Sequence, residues 1–107
     1  MGLFDFIRGI IRQAVTEAQE AQMEAERWDA RTICRELQIT SRPTKMTGYM
    51  TALSSKCQKM SDRELKDIFD YAFNSRNAKA CSAMMTVMEE RGLAYKDDNG
   101  RIVRTYR

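Results

Sequence analysis

The chain has 107 residues, a formal net charge of +3 and no histidine, with 43% apolar and 31% charged residues. That length suits one compact domain, the charge excess is too small to mark nucleic acid as a partner by itself, and the missing imidazole removes the commonest proton shuttle near neutral pH. Neither the GxGxxG nor the GxxxxGK[ST] phosphate-binding pattern occurs, so the reading is of a non-catalytic chain with no cofactor, no metal and no catalytic residue.

At the amino end, Phe4, Ile7, Ile11, Ala14, Ala18, Ala21, Ala25 and Trp28 recur at steps of three and four. That spacing keeps one apolar seam on a single side of a helix, where it faces a partner. Alanine buries little area per residue but lets the facing helix approach closely. A continuous helix from Leu3 to Leu37 would be about 50 Å long, more than the diameter of a globule of this size, so it either projects toward another subunit or breaks. Gly9 is one weak point. The seam changes phase after Trp28, where Ile33, Cys34 and Leu37 continue at other positions, which puts a bend or a change of packing partner near Asp29. The eight seam residues are the expected self-association surface. Residues 1–38 are thus read as an amphipathic helix for packing or assembly, and residues 39–107 as a small helical domain with a terminal hairpin. A bent helix folded onto its own chain is the alternative.

Leu3, Phe4, Ile7, Ile10, Ile11, Ala14 and Val15 also make a broad apolar face beside Arg8 and Arg12, a pattern suited to reversible contact with a membrane surface. Asp5, Arg8, Gly9 and Arg12 interrupt it far short of the roughly twenty apolar residues that span a bilayer. No secretory signal is read, and Phe6 stands where acylation at Gly2 would want Ser or Thr. The expected location is cytoplasmic, with Cys34, Cys57 and Cys81 reduced, since they lack the short spacing of a zinc or redox pair.

Pro43 marks the connector over residues 40–44, after which Thr44 or Thr47 caps a helix carrying Met46, Tyr49, Met50, Leu53 and Cys57 and ending by Met60. Ser61 and Glu64 form a capping box ahead of Leu65, Ile68, Phe69, Ala72 and Phe73. Asn74 and Ser75 interrupt the pattern before a helix from Asn77 to Arg91, with Ala80, Cys81, Met84, Val87 and Met88 on its apolar side and Gly92 as its stop. Residues 93–96 and 101–106 then alternate as two short strands around Asn99-Gly100, a dipeptide that favours tight hairpin turns. Leu93, Tyr95, Ile102 and Tyr106 are expected to pack on the helices. The fold class is mainly α: a long N-terminal helix, three shorter helices and a C-terminal β-hairpin.

Residues 41–60 hold Arg42, Lys45, Lys56 and Lys59 without a carboxylate, and the last residues add Lys96, Arg101, Arg104 and Arg107 against Asp97 and Asp98. The segment Ser61 to Arg107, with its capped helix, turn, second helix ending in MEERGL and hairpin DDNGRIVRTYR, resembles a winged-helix module. The resemblance implies duplex DNA as a partner, with Arg76, Lys79, Ser82 and Thr86 on the recognition helix and Lys96, Arg101 and Arg104 on the wing. Solvated surface charge explains the same residues, and Arg101 and Arg104 fall on opposite faces of a regular strand. Tyr49, Tyr71 and Tyr95 could stack on bases, but core packing accounts for them more economically. Asp62, Asp67 and Asp70 are read as solvated helix charges. The leading functional reading is a helical assembly or protein-interaction module forming a homo-oligomer or binding a helical protein. A winged-helix DNA-binding regulator comes second and a peripheral membrane adaptor third.

Overall fold

The computed structural model describes residues 2–106, and within the first helix the side chains of residues 3–7 and 9–15 lie outside the description. Five helices precede a two-stranded hairpin: α1 (Leu3–Glu26), α2 (Ala30–Ile39), α3 (Pro43–Gln58), α4 (Asp62–Asn74), α5 (Ala78–Glu90), β1 (Ala94–Lys96) and β2 (Ile102–Arg104). The expected helix over residues 1–38 is therefore two helices. It runs through Gly9 and breaks after Glu26, where Arg27 and Trp28 close a final turn onto the Glu24 and Ala25 carbonyls. Asp29 is extended and its carboxylate accepts from the Thr32 amide at 2.8 Å, which restarts the chain as α2. Hydrogen bonding from the Thr32 side chain and then from its amide holds the Asp29 carboxyl below its ordinary range.

Helix α3 begins earlier than the threonine caps suggested. Arg42 stands at the cap position without a side-chain bond and Pro43 fills the first turn, where its missing N–H costs nothing. Thr44 instead donates to the Glu17 carboxylate at 2.9 Å, and Thr47 donates to the Pro43 carbonyl at 3.0 Å. The capping box at Ser61 and Glu64 is formed in both directions. At the far end of α4 the Arg76 and Asn77 amides close back onto the Phe73 and Ala72 carbonyls, and Arg76 takes a left-handed φ of 55°. Asn77 then serves two helices, because its side-chain oxygen accepts from the Ala80 amide at 3.1 Å while its Nδ2 donates to the Cys34 carbonyl of α2 at 2.6 Å. Gly92 ends α5 with φ at 69°.

In the hairpin, Ala94 pairs with Arg104, Tyr95 with Val103 and Lys96 with Ile102. The tight Asn-Gly turn is not what closes it. Asp97 and Arg101 are the last bonded pair, the Gly100 amide returns to the Asp97 carbonyl, and Gly100 alone takes positive φ within the turn. A type I turn followed by a left-handed glycine has this pattern, and the Asp97 carboxylate fixes it by accepting from the Asn99 and Arg101 amides at 2.9 Å each. Leu93 is buried and Ile102 and Tyr106 are half-buried, as expected, whereas Tyr95 points to solvent at 50% exposure because strand alternation gives the core side to Ala94.

Helix α5 lies at the centre, packed against α2, α3, α4 and β1. Met84, Met85 and Met88 are buried there beside Ile33, Leu37, Leu53, Leu65 and Phe69. The same cluster of buried side chains extends from Ala21 to Ala94, so residues 21–38 share one core with residues 39–107 and the two are not separate units. The molecule measures 60 × 33 × 23 Å with a radius of gyration of 15.9 Å. A compact chain of this length would have about 13 Å, so the molecule is elongated.

Candidate functional site

Helix α1 packs on α3, and the two run in the same direction. Glu17 meets Arg42 at 3.4 Å and Thr44 at 2.9 Å at the start of α3, while the Glu26 carbonyl accepts from Lys56 Nζ at 2.8 Å near its end. Between these points Gly48 lies against Ala18, Ala21 and Gln22: a Cβ added there would stand 2.7 Å from the Gln22 nitrogen and 2.8 Å from the Ala21 Cβ, and closer still to the Ala18 carbonyl oxygen. The alanine seam thus does what small residues at a helix crossing allow, but toward its own chain. Ala21 and Ala25 are buried against α3, Ala18 is half-buried, and Trp28 closes the seam on the Tyr49 ring at 5.2 Å between centroids. This half of the expected self-association surface is an internal contact.

The other half of that surface, Phe4, Ile7, Ile11 and Ala14, has side chains outside the described residues. The backbone that carries them is placed. Because Glu17 already sits beside the first turn of α3, residues 3–16 continue α1 past the end of its partner helix, a run of about 21 Å.

The residues expected to touch nucleic acid are divided. Arg76, Ser82 and Lys96 line one cleft of about 340 Å³ between α5 and the hairpin. Lys79 is held elsewhere, with its Nζ donating to the Thr40 carbonyl at the end of α2 at 2.9 Å. Arg104 is also engaged: it pairs with Asp70 at 2.8 Å and lies over the Phe73 ring at 4.3 Å. Thr86 and Arg101 are exposed and lie outside the cleft lining. Of the three tyrosines, Tyr49 is buried, Tyr71 lies beneath the Arg31 guanidinium at 4.8 Å and Tyr95 is free of the core.

Asp70 is a residue that sequence reasoning misassigned. It is half-buried and accepts from both Arg104 and the Tyr106 hydroxyl, the latter at 2.6 Å, so it moors the last strand to α4. Burial and then the Asp70 hydrogen bond push the Tyr106 phenol well above its ordinary range. No local spacing announces a contact 36 positions away. The winged-helix resemblance points to the Arg76 side chain as a nucleic-acid contact, yet its backbone is more telling. An arginine in the left-handed region costs roughly 1 kcal/mol or more, at a helix end where glycine would cost nothing.

Cys34, Cys57 and Cys81 are free thiols and all three are buried. Burial pushes Cys34 up to about 11 and Cys57 up to about 12, and raises Cys81 in the same direction. Such thiols are poor nucleophiles. At mildly alkaline pH a disulfide reagent is expected to leave the native protein untouched and to titrate all three cysteines only after denaturant is added. The same shifts fix a pH dependence. The folded thiols are raised above their ordinary value of 9.0, so the stabilisation they report is whole below about pH 9 and is lost as pH rises through 11 to 12. Chemical denaturation midpoints measured across that range check the sign.

Among the described residues no three Cys, Asp or Glu side chains converge as a metal site, and no helix is long and apolar enough to cross a membrane. No family model, curated protein or solved structure matches the chain.

Proposed function

We propose that this protein is a non-catalytic helical module that self-associates through the amino-terminal part of α1. The observation that carries this reading is the overrun of α1 beyond α3, on a stretch where the sequence keeps the seam of Phe4, Ile7, Ile11 and Ala14. Described contacts account for the seam from Ala18 onward, and the stretch before it retains the heptad-like spacing that pairs helices between chains. The elongated shape supports the same reading, since an isolated amphipathic run of this length is marginal in water without a packing partner.

The test is the double substitution Ile7→Asp with Ile11→Asp. It is expected to convert a dimer or larger assembly to a monomer in light scattering while leaving the melting of the α1–α3 contact, followed by Trp28 fluorescence, nearly unchanged. A variant with wild-type mass would remove the reading. The peripheral membrane alternative draws on the same face with Arg8 and Arg12. It predicts cosedimentation of the wild type, but not of the variant, with vesicles containing anionic lipid. The DNA-binding alternative retains Arg76, Lys96 and Arg101, which pair with no carboxylate among the described residues, and charge removal there would abolish salt-sensitive duplex binding without altering the mass of the free protein.

A further inference from the structure

We propose that the cleft between α5 and the hairpin is a binding site for a small anionic amphiphile, a molecule with a carboxylate or phosphate monoester head on a short apolar body. Its volume of about 340 Å³ lies at the lower end of what small-ligand sites occupy. Phe73, Cys81, Met85 and Ile102 give it an apolar lining, its charged residues are Arg76 and Lys96, and Ser82 but no carboxylate joins them in the lining.

Five other cations of the fold are already engaged. Arg42, Arg91 and Arg104 are paired with carboxylates, and Lys56 and Lys79 donate to helix-end carbonyls. No carboxylate among the described residues pairs with Arg76 or Lys96. The two come from different elements, the α4–α5 turn and the end of β1, and meet at one cleft. An anionic head supplies the missing counter-charge, and the guanidinium can hold it through two parallel hydrogen bonds. The left-handed backbone at Arg76 adds a second reason to ask what the side chain does, since glycine would serve the turn better.

The walls are fixed before any ligand arrives. Asn77 ties the start of α5 to α2, Arg104 ties β2 to Asp70 of α4, and Thr105 donates to the Gly92 carbonyl at 2.7 Å to hold the hairpin against the end of α5. A cleft set by contacts of this kind loses little ordering entropy on binding.

The experiment titrates the full chain with decanoate, decyl phosphate and neutral decanol, each below its micelle-forming concentration, and follows backbone amide shifts and calorimetric heat. Decanoate or decyl phosphate is expected to shift the amides of Ala78, Ser82 and Ile102. The relative affinity of the two anions identifies the head group, and decanol is expected to bind roughly tenfold more weakly or less. Two variants test the residues. Arg76→Gly removes both the charge and the left-handed strain, so it is expected to be at least as stable as the wild type yet to lose roughly tenfold in affinity. Lys96→Gln is expected to weaken binding in the same direction. Absence of cleft shifts at millimolar ligand, equal binding of decanol, or unaltered affinity in a folded Arg76→Gly variant would each overturn the proposal. So would a mixed-sequence DNA duplex shifting the same amides where neither anion does.

Discussion

Gly48→Val is expected to cost about 3 kcal/mol or more of folding stability, and Gly48→Ala to be destabilising as well although alanine is the better helix former. Propensity alone favours the alanine by about 1 kcal/mol. Against that gain, the new Cβ would lie 2.7 Å from the Gln22 nitrogen and closer to the Ala18 carbonyl, both main-chain atoms that no rotamer change can move aside. Relief requires α1 to back away from α3, which opens the seam at Ala21 and Ala25 and parts Trp28 from Tyr49. Urea denaturation read by Trp28 fluorescence reports on this junction directly. The expected order of midpoints is wild type, then alanine, then valine. An alanine variant more stable than the wild type would mean that the crossing is looser than described.

The second large effect is expected at Arg91, whose guanidinium closes the end of α3. Nη1 donates to the Met60 carbonyl at 2.7 Å and to Asp62 at 3.1 Å, while Nη2 donates to the Gln58 carbonyl at 3.0 Å and the Cys57 carbonyl at 3.3 Å. The last carbonyls of a helix have no partner within it, and a cation there also meets the negative end of the helix dipole. Arg91→Ala is therefore expected to cost about 2–3 kcal/mol, mostly from partly buried carbonyls left unsatisfied. Arg91→Lys keeps the charge but not the fork, so its cost should fall between alanine and wild type. The ion pair contributes little of this, because the Asp62 side chain is 61% exposed. Thermal or urea melts of Arg91→Ala and Asp62→Ala separate the two contributions. Equal losses in both variants would assign the stability to the salt bridge and contradict the helix-end account.

What could be read from the amino-acid order was what local chemistry dictates. The Ser61–Glu64 capping box, the stop at Gly92 and the apolar sides of α4 and α5 follow from neighbours a few positions apart, and they stand as expected. The break near Asp29 was visible as a phase change, because Ile33 and Leu37 serve α2 in the central core whereas Ala21 and Ala25 serve the contact with α3. The destination of the alanine seam was not visible. A seam of small residues predicts a close partner helix without saying whose, and the matching Gly48 lies beyond an intervening helix in a stretch with no strong periodicity. Thr44 misled for a related reason: a side chain that looks like a local cap can prefer a carboxylate such as Glu17, brought near only by folding.

The candidate site was legible in part. Arg76, Ser82 and Lys96 are candidates that the winged-helix resemblance implies, and they do line one cleft. Lys79 and Arg104 were selected on the same grounds, but the Thr40 carbonyl and Asp70 hold them. Sequence spacing reports which cations exist and which face of an element they occupy. It does not report which of them already have partners, since those partners lie 39 and 34 positions away.

Whether the amino-terminal run of α1 joins chains is tested most directly by the absolute mass of the purified wild-type chain, measured by light scattering over a wide range of protein concentration and at two salt concentrations. Self-association through this run predicts a mass that is a multiple of the 12.4 kDa chain, falling toward the monomer on dilution and insensitive to salt because the seam is apolar. A mass of one chain at every concentration would contradict it.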